Sequence, residues 1–576
     1  MKNSIISTDK AKCRDCYRCV RVCPVKAIRI SEGQARVDAE RCVICGTCVR
    51  ECPQQAKHVR NDLERLKEFL ASKDIKIASI APSFPAAFGD YGGGLLPAAL
   101  KKIGFDMVTE TAVGAELIAF ETAEILKGRK SAWVTSACPV VVNLVERYFP
   151  EVCEHITPLV SPMVAHARYL KSKYGEDAKV CFIGPCSAKK GEAEDDPEHS
   201  VDIVVTFEEL HQALAEAKIN KNALQPVTFD DLRPKNAQLF PLEGGLAKTA
   251  SIASDMLRED FVTLSGSKHV REMIDHLGDN SPIRLFEALF CPGGCINGPC
   301  LGPARDTFAR RSKVLQYHKR KTYAAEKEFE VASAPKINLS QAITPDKIVQ
   351  PKFSEDAIKA VLAETGKYTA DDELNCGACG YSTCRENAMA VLSGMAERSM
   401  CLPWMRQVAE RKTDQIIDYS PNGIVAVDGE LNIVSFNLAF ARMFSATDKL
   451  IGRPISVLID PEDFEKVQAE VVRRINGKTV SFPQYNLIAA ESIYRLEGEN
   501  VFIGIYTNIT KTKEDEDRIA RMRAETLASA ESVIGKQMRM AQEIASILGE
   551  TTSETRVLLR KLTDITRDAD DQQEIK

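Results

Sequence analysis

The 576-residue chain has no histidine after His318 and no cysteine after Cys401. A histidine-kinase output needs a phosphoacceptor histidine, so the C-terminal part excludes one, and no glycine-rich nucleotide loop occurs there either. Net charge is also scarce: 76 basic against 81 acidic residues give −5, which leaves no basic footprint for nucleic acid or an anionic membrane. Long apolar runs are missing. The longest uncharged stretches, such as 131–145, are too short and interrupted to span a bilayer, and MKNSIISTDK lacks the apolar core of a signal peptide. These absences predict a cytoplasmic protein whose partners are proteins and small molecules. At about one domain per 150 residues, the length predicts roughly four modules.

Cysteine is abundant, and in a large cytosolic chain 19 of them read as metal ligands rather than disulfides. Cys13, Cys16, Cys19 and Cys23-Pro24 are followed by Cys42, Cys45, Cys48 and Cys52-Pro53. This is C-x2-C-x2-C-x3-C-P written twice, a spacing with which thiolates wrap a cubane cluster. Residues 1–60 resemble the bacterial two-cluster ferredoxins. In that pattern the last cysteine of each run ligates the other cluster, so Cys13, Cys16, Cys19 and Cys52 hold one [4Fe-4S] cluster and Cys42, Cys45, Cys48 and Cys23 the second. Zinc is the alternative, and the doubled run with both prolines argues against it.

After a helical connector, NDLERLKEFLASKD, short strand-like runs (IKIASIAP, SAWVTSACP, AKVCFIGPC, VDIVV) alternate with longer amphipathic segments. That alternation predicts an α/β domain over 61–345. A third module, 346–410, carries Cys376, Cys379, Cys384 and Cys401. Turn glycines let the first three thiolates converge, and a sixteen-residue helix with Met389, Leu392 and Met395 on one face is expected to return the fourth. The segment resembles the small single-cluster module of Rnf-type electron-transfer and corrinoid iron-sulfur proteins, implying one [4Fe-4S] cluster; a structural zinc site is the alternative.

Residues 411–511 contain two strand-like segments around a turn, an Asn437-x-Ala439-Phe440 helix and a closing strand, VFIGIYTNIT. They resemble a PAS domain. Without His or Cys, ordinary haem ligation and a cysteinyl-flavin photosensor are disfavoured, and the ligand stays unknown. In the tail, 512–576, Ile534, Gln537, Ala541, Ile544, Leu548, Thr551, Thr555, Leu558, Leu562 and Ile565 recur at three- and four-residue steps. That spacing predicts a coiled coil and a homodimer, with a solvated single helix as the alternative. The fold class expected is therefore multidomain, α/β and α+β.

In the central domain three motifs stand in order: Thr135-Ser136-Ala137-Cys138-Pro139, Gly184-Pro185-Cys186-Ser187-Ala188-Lys189-Lys190 and Cys291-Pro292-Gly293-Gly294-Cys295. Each puts a cysteine at the end of an apolar run, where clefts form. Together with IAPSFPAAFG they resemble the active-site domain of the [FeFe]-hydrogenases, over roughly 75–303. The resemblance implies that Cys138, Cys186, Cys291 and Cys295 hold the cubane half of the H-cluster. Cys295 would bridge to a two-iron half bearing CO, cyanide and a dithiolate. It also implies that Lys189 donates a charge-assisted bond to a cyanide, and that maturation proteins install the cofactor. Met163, in Ser161-Pro162-Met163, either packs beside the diiron unit or belongs to the core.

Departures from the family carry the functional argument. Ala137 stands where catalytic members have a proton-relaying cysteine, and a positioned acid or base is worth about 10²–10⁴-fold. Gly184 replaces the usual methionine and is expected to open space beside the diiron site. Glu121 and Glu124 fall in the segment of the family's glutamate relay, or else on the surface. Cys300 is either a replacement proton donor or an inert buried thiol, and Cys153 and Cys181 read as structural.

The whole architecture resembles the sensory [FeFe]-hydrogenases. It implies an enzyme-type site that binds or slowly oxidises H2 to protons and electrons, passes the electrons through [4Fe-4S] clusters to a redox partner such as ferredoxin, and signals through PAS to a separate kinase or phosphatase. Two alternatives stand: a slow ferredoxin-linked catalytic hydrogenase, and a hydrogenase-like iron-sulfur protein without a diiron unit.

Overall fold

A computed structural model describes residues 4–128, 131–252, 259–277, 282–302, 306–320, 328–496, 498–548 and 560–563. The chain divides into two compact units, 1–405 and 406–576.

At the start of the first unit, strand Ile6–Thr8 pairs antiparallel with Lys57–Val59, and Ile28–Ser31 with Gln34–Val37. Each cysteine run ends on a short helix, Arg18–Val22 or Thr47–Arg50. Gly46 opens the second of these in the left-handed region, at φ 67°. A Cβ there would sit 2.4 Å from Pro299, so only glycine lets the second cysteine loop press onto the central domain. The connector forms the helix Leu63–Ala71.

The central domain is built on parallel strands. Four of them run in the order Met107–Glu110, Lys76–Ile80, Lys179–Gly184, Ile203–Thr206, and three in the order Phe261–Ser265, Leu285–Leu289, Trp133–Val134. Ile203–Thr206 and Leu285–Leu289 are buried at every position, and strands covered on both faces read as continuous apolar runs rather than alternating ones. The run SAWVTSACP yields only a two-residue strand. It is cut short because Ser136 leaves the ladder, its amide donating to Thr157 Oγ1 at 3.0 Å and its hydroxyl to the Leu159 carbonyl at 2.7 Å.

In the third module the helix after Cys384 is nine residues long, Cys384–Leu392, not sixteen. Gly394, at φ 69°, turns the chain out of the helix, and a 3-10 turn, Arg398–Met400, delivers Cys401 instead. Met389 is 38% exposed while Met395 is buried, so the two share no face.

The connector, the ferredoxin-like part and the central domain are tied by a buried ion cluster. Lys190 Nζ donates to Asp62 Oδ2 at 2.6 Å and to Glu209 Oε1 at 2.9 Å, its side chain fully covered. Burial pushes the Asp62 carboxyl up, but the bonds from Lys190 and Arg60 outweigh that and hold it below its ordinary value.

The second unit holds a five-stranded antiparallel sheet in the order Ile433–Phe436, Gly423–Asp428, Val501–Asn508, Leu487–Arg495, Arg474–Phe482. Asn437 caps the helix Leu438–Phe444, its side chain accepting from the amides of Phe440 at 2.9 Å and Ile424 at 2.8 Å. The tail continues as the helix Thr510–Leu548, which includes Ile534, Gln537, Ala541, Ile544 and Leu548 of the expected coil. Leu562 is exposed, and Thr551, Thr555, Leu558 and Ile565 lie outside the described residues. Among the described residues no helix is long and apolar enough to cross a membrane.

Removing the Lys190 ammonium would leave two buried carboxylates unpaired, and Lys190→Ala is expected to destabilise the first unit by about 3–5 kcal/mol in denaturant unfolding. Because Asp62 is depressed in the folded state, its share of this stability is present above about pH 4 and is lost as pH falls through the lower folded value. An unfolding midpoint unchanged from wild type at pH 7 would contradict this account.

Candidate active site

Three of the four scattered cysteines stand just beyond the carboxyl ends of parallel strands. Cys138 follows Trp133–Val134 and sits at the N-cap of the helix Pro139–Tyr148, with Pro139 at its first position. Cys186 follows Lys179–Gly184, Cys291 follows Leu285–Leu289, and Cys295 begins a 3-10 turn, Cys295–Asn297. The four thiols feel one another. Burial first, then Cys138, pushes Cys186 up to about 11. Burial with the same neighbours drives Cys291 and Cys295 well above the ordinary thiol value. Crowded, desolvated thiols of this kind become stable ligands when metal displaces their protons.

A cavity of about 80 Å³ opens beside two of these thiols, lined by Cys186, Cys295, Ala137, Met163 and Lys189 together with apolar Ala81, Pro82, Phe182, Phe240 and Leu289. Lys189 Nζ donates to Ser161 Oγ at 2.7 Å and to Glu192 Oε2 at 2.6 Å, which fixes its ammonium at the wall. The Ser83 hydroxyl, on the same wall, is buried without a partner. A polar group entering the cavity would meet both. The donor set therefore fits a cofactor anchored by sulfur at one end and carrying hydrogen-bond acceptors at the other.

The remaining cysteines fall into three sets. Cys13, Cys16, Cys19 and Cys52 line one small cavity. Cys23 lies within electrostatic reach of Cys42, Cys45 and Cys48, which burial pushes upward. Cys376, Cys379, Cys384 and Cys401 line another cavity, where Lys367 Nζ approaches Cys401 Sγ at 3.2 Å. Among the described residues, no three His, Cys, Asp or Glu side chains are placed to hold a single metal ion. Ligands of one zinc converge to about 2.3 Å from it, whereas corners of a four-iron cluster stand farther apart.

Other residues singled out in the sequence are not brought to the cavity. Glu124 is an exposed residue paired with Lys127 at 2.6 Å, and Glu121 is half-buried, one turn earlier on the helix Ala112–Gly128. Neither lines the cavity, so the relay reading of these two is corrected. The buried carboxylate of that helix is Glu116, and it accepts from the amides of Asn236 and Ala237. Cys300 is buried, its amide bonded to the Pro185 carbonyl, and it also lies off the cavity wall, which corrects the replacement-donor reading. Gly184 opens no space. A Cβ there would lie 2.6 Å from the Phe182 ring, so that ring fills the volume instead.

Glu287 was not singled out by sequence. It is buried within the apolar run RLFEALF, accepts from the amides of Leu246 and Ala247, and is raised by burial to about 7. Its signal was a lone carboxylate inside a buried strand.

Comparison with known proteins agrees with this geometry. Residues 74–299 match the family of the iron only hydrogenase large subunit, C-terminal domain; 5–53 match a 4Fe-4S dicluster domain, 372–403 an Fe-S cluster family, and 411–490 the PAS fold. Iron hydrogenase 1 of Clostridium pasteurianum is 27% identical over 371 residues, covering 52% of this chain and 65% of that protein. The NADP-reducing hydrogenase subunit HndD of Solidesulfovibrio fructosivorans is 27% identical over 352 residues, 50% of this chain and 55% of that one. The chain thus spans 65% and 55% of these two relatives' lengths. A solved structure of apo [FeFe]-hydrogenase HydA1 from Chlamydomonas reinhardtii covers 50% of this chain and 100% of its own, at 17% identity and a TM-score of 0.40.

The chain carries an iron-only hydrogenase domain between iron-sulfur cluster domains and a PAS fold. That architecture fits a sensory [FeFe]-hydrogenase.

The Gly184–Phe182 contact can be tested directly. Gly184→Ala is expected to lower stability by about 1–3 kcal/mol through overpacking, and the loss should shrink in a Phe182→Leu background. Additive losses in thermal unfolding would refute the contact.

Proposed function

We propose that the protein senses hydrogen at an H-cluster and turns over slowly. The observation that carries this reading is one cavity wall on which Cys186, Cys295, Lys189 and Met163 meet Ala137. Cys138, Cys186, Cys291 and Cys295 would hold the cubane half, Cys295 bridging to the two-iron half. When bound, that cofactor supplies the cleavage of H2, which no side chain can perform.

The chain's own residues do the rest. Lys189 and Ser83 offer donors that orient acceptor groups, and Phe182, Phe240 and Leu289 keep bulk water out. Ala137 has no titratable atom, so the cavity loses its most direct proton acceptor. Cys13, Cys16, Cys19 and Cys52 would hold one [4Fe-4S] cluster, Cys23 with Cys42, Cys45 and Cys48 a second, and the Cys376 set a third. Electrons would leave through these toward a redox partner such as ferredoxin. Their redox state would bias the PAS domain and the helical tail, as a dimer, toward a separate kinase or phosphatase, a population shift that requires different contacts in the two states.

Infrared spectra of the anaerobically matured protein are expected to show CO and cyanide bands where proteins do not absorb. Spectra without them would remove the hydrogenase reading. With the bands present, Ala137→Cys is expected to raise steady-state H2 oxidation by about 10²–10⁴-fold. An unchanged rate would count against a missing relay as the cause of slow turnover.

A further inference from the structure

The cavity wall has no titratable side chain at position 137, yet a buried hydrogen-bonded chain starts from the same cavity at Thr111. Thr111 Oγ1 lies 2.7 Å from Ser79 Oγ, which lies 2.8 Å from His166 Nδ1. All three side chains are buried, and His166 has no exposed surface at all.

Beyond the imidazole the chain meets two orphaned atoms. His166 Nε2 and Asp231 Oδ2 are both buried without a hydrogen-bond partner among the described residues, and the charge of Asp231 reaches the His166 ring. One water between them would satisfy both. Asp231 Oδ1 accepts from Lys173 Nζ at 2.7 Å and from the Tyr169 hydroxyl at 3.3 Å, and the Lys173 side chain is 34% exposed. The Tyr169 ring lies nearly parallel to His166, 14° apart in plane at a 6.0 Å centroid distance, and walls this stretch from the sheet.

We propose that Thr111, Ser79, His166 and Asp231 form a proton route between the cavity and the surface at Lys173, in place of a side chain at position 137. The proposal rests on the function proposed above. A proton leaving the cavity adds to Thr111 Oγ1 as that hydroxyl's own proton passes to Ser79 Oγ, and the Ser79 proton passes to His166 Nδ1. The imidazolium then releases its Nε2 proton through the bridging water to the Asp231 carboxylate, and from there to solvent. No electron moves along the chain. Each hydroxyl keeps one proton, and the ring must return to its Nε2 tautomer before the next transfer.

Two features make such a route slow rather than closed. Burial lowers the imidazole to about 4, so at pH 7 it is protonated about one part in a thousand and holds a proton only in passing. The tautomer reset adds a second delay. A purely structural network would end in satisfied groups, whereas this one ends in two facing polar atoms with nothing between them.

The first test uses the full chain produced without maturation. Deuteration of the His166 ring carbon, followed by mass spectrometry across pH, reports the imidazole titration. With the water-linked contact present, Asp231→Asn is expected to move the His166 midpoint down by about one unit; an unmoved midpoint overturns the link. The second uses the matured protein. His166→Gln, which keeps hydrogen bonding but cannot relay, is expected to cut H2 oxidation at least tenfold, with infrared bands unchanged. Thr111→Ser, which keeps the hydroxyl, should stay within twofold of wild type, while Thr111→Val should match His166→Gln. Wild-type turnover in His166→Gln overturns the route. Absent infrared bands would instead overturn the underlying function, and the deuteration result would still decide whether Asp231 and His166 are joined.

Discussion

The molecule's first unit depends on the convergence of Cys138, Cys186, Cys291 and Cys295 beyond the ends of two parallel sheets. Parallel strands buried on both faces release the chain at one edge, so loops separated by many residues meet there. The rest of the domain fixes that edge. Ser136 breaks off its strand to set Cys138 on a helix N-cap, and Pro139 starts the helix at once. The Phe182 ring fills the space over Gly184, which seats the Pro185-Cys186 turn against the cavity. Were these loops free to spread, four buried thiols would repel as partial anions, and the desolvation that makes them strong ligands would work against the fold instead.

From this edge the other cysteine sets follow in a row. Ser187, next to Cys186, donates to the Ile44 carbonyl at 2.7 Å, and Gly46 presses on Pro299. The Cys42 loop thus abuts the active-site loop directly. On the far side Arg21 donates to the Ala378 carbonyl at 3.0 Å, and Ile30 donates to the Met395 carbonyl at 3.0 Å, so the third module docks on the ferredoxin-like part beside Cys23. Tyr381 lies within electrostatic reach of both Cys379 and Cys23. Short backbone contacts of this kind leave little freedom in the separation of neighbouring sets, which is what stepwise electron transfer requires of a protein scaffold.

What was legible in the sequence is what repeats or caps locally. The doubled cysteine runs, the apolar parallel strands and the Asn437 cap all declare themselves within a few residues, because wrapping, burial and capping are short-range constraints. The expected helix after Cys384 failed for an equally local reason: Ser393-Gly394 ends it, and apolar periodicity across 389–395 hid the turn. Long-range consequences were not legible. Nothing in the spacing of Gly184 and Phe182 says which way the ring folds, and Glu121 and Glu124 share a helix with Glu116 although only Glu116 faces inward. The Ser79–His166 contact joins residues 87 apart in the chain, a distance at which sequence pattern carries no information.

A sensor and a fast enzyme make opposite demands on such a cavity. Rapid turnover needs a titratable group at the cofactor whose affinity for protons matches the working pH. A signal needs the altered state to persist long enough for a second domain to read it, and that second domain responds only if its contacts differ between the two states. An alanine at position 137 serves the second demand if protons can still leave, only slowly. A sealed cavity would record nothing, since no proton could be exchanged at all. The structure supplies an intermediate condition: apolar walls on most sides, one fixed ammonium at Lys189, and one buried hydroxyl, Thr111, that continues inward to an imidazole instead of outward to water. On the proposed function, the lifetime of the signal is set by that inward chain, and mutations along it should tune persistence without touching a single cluster ligand.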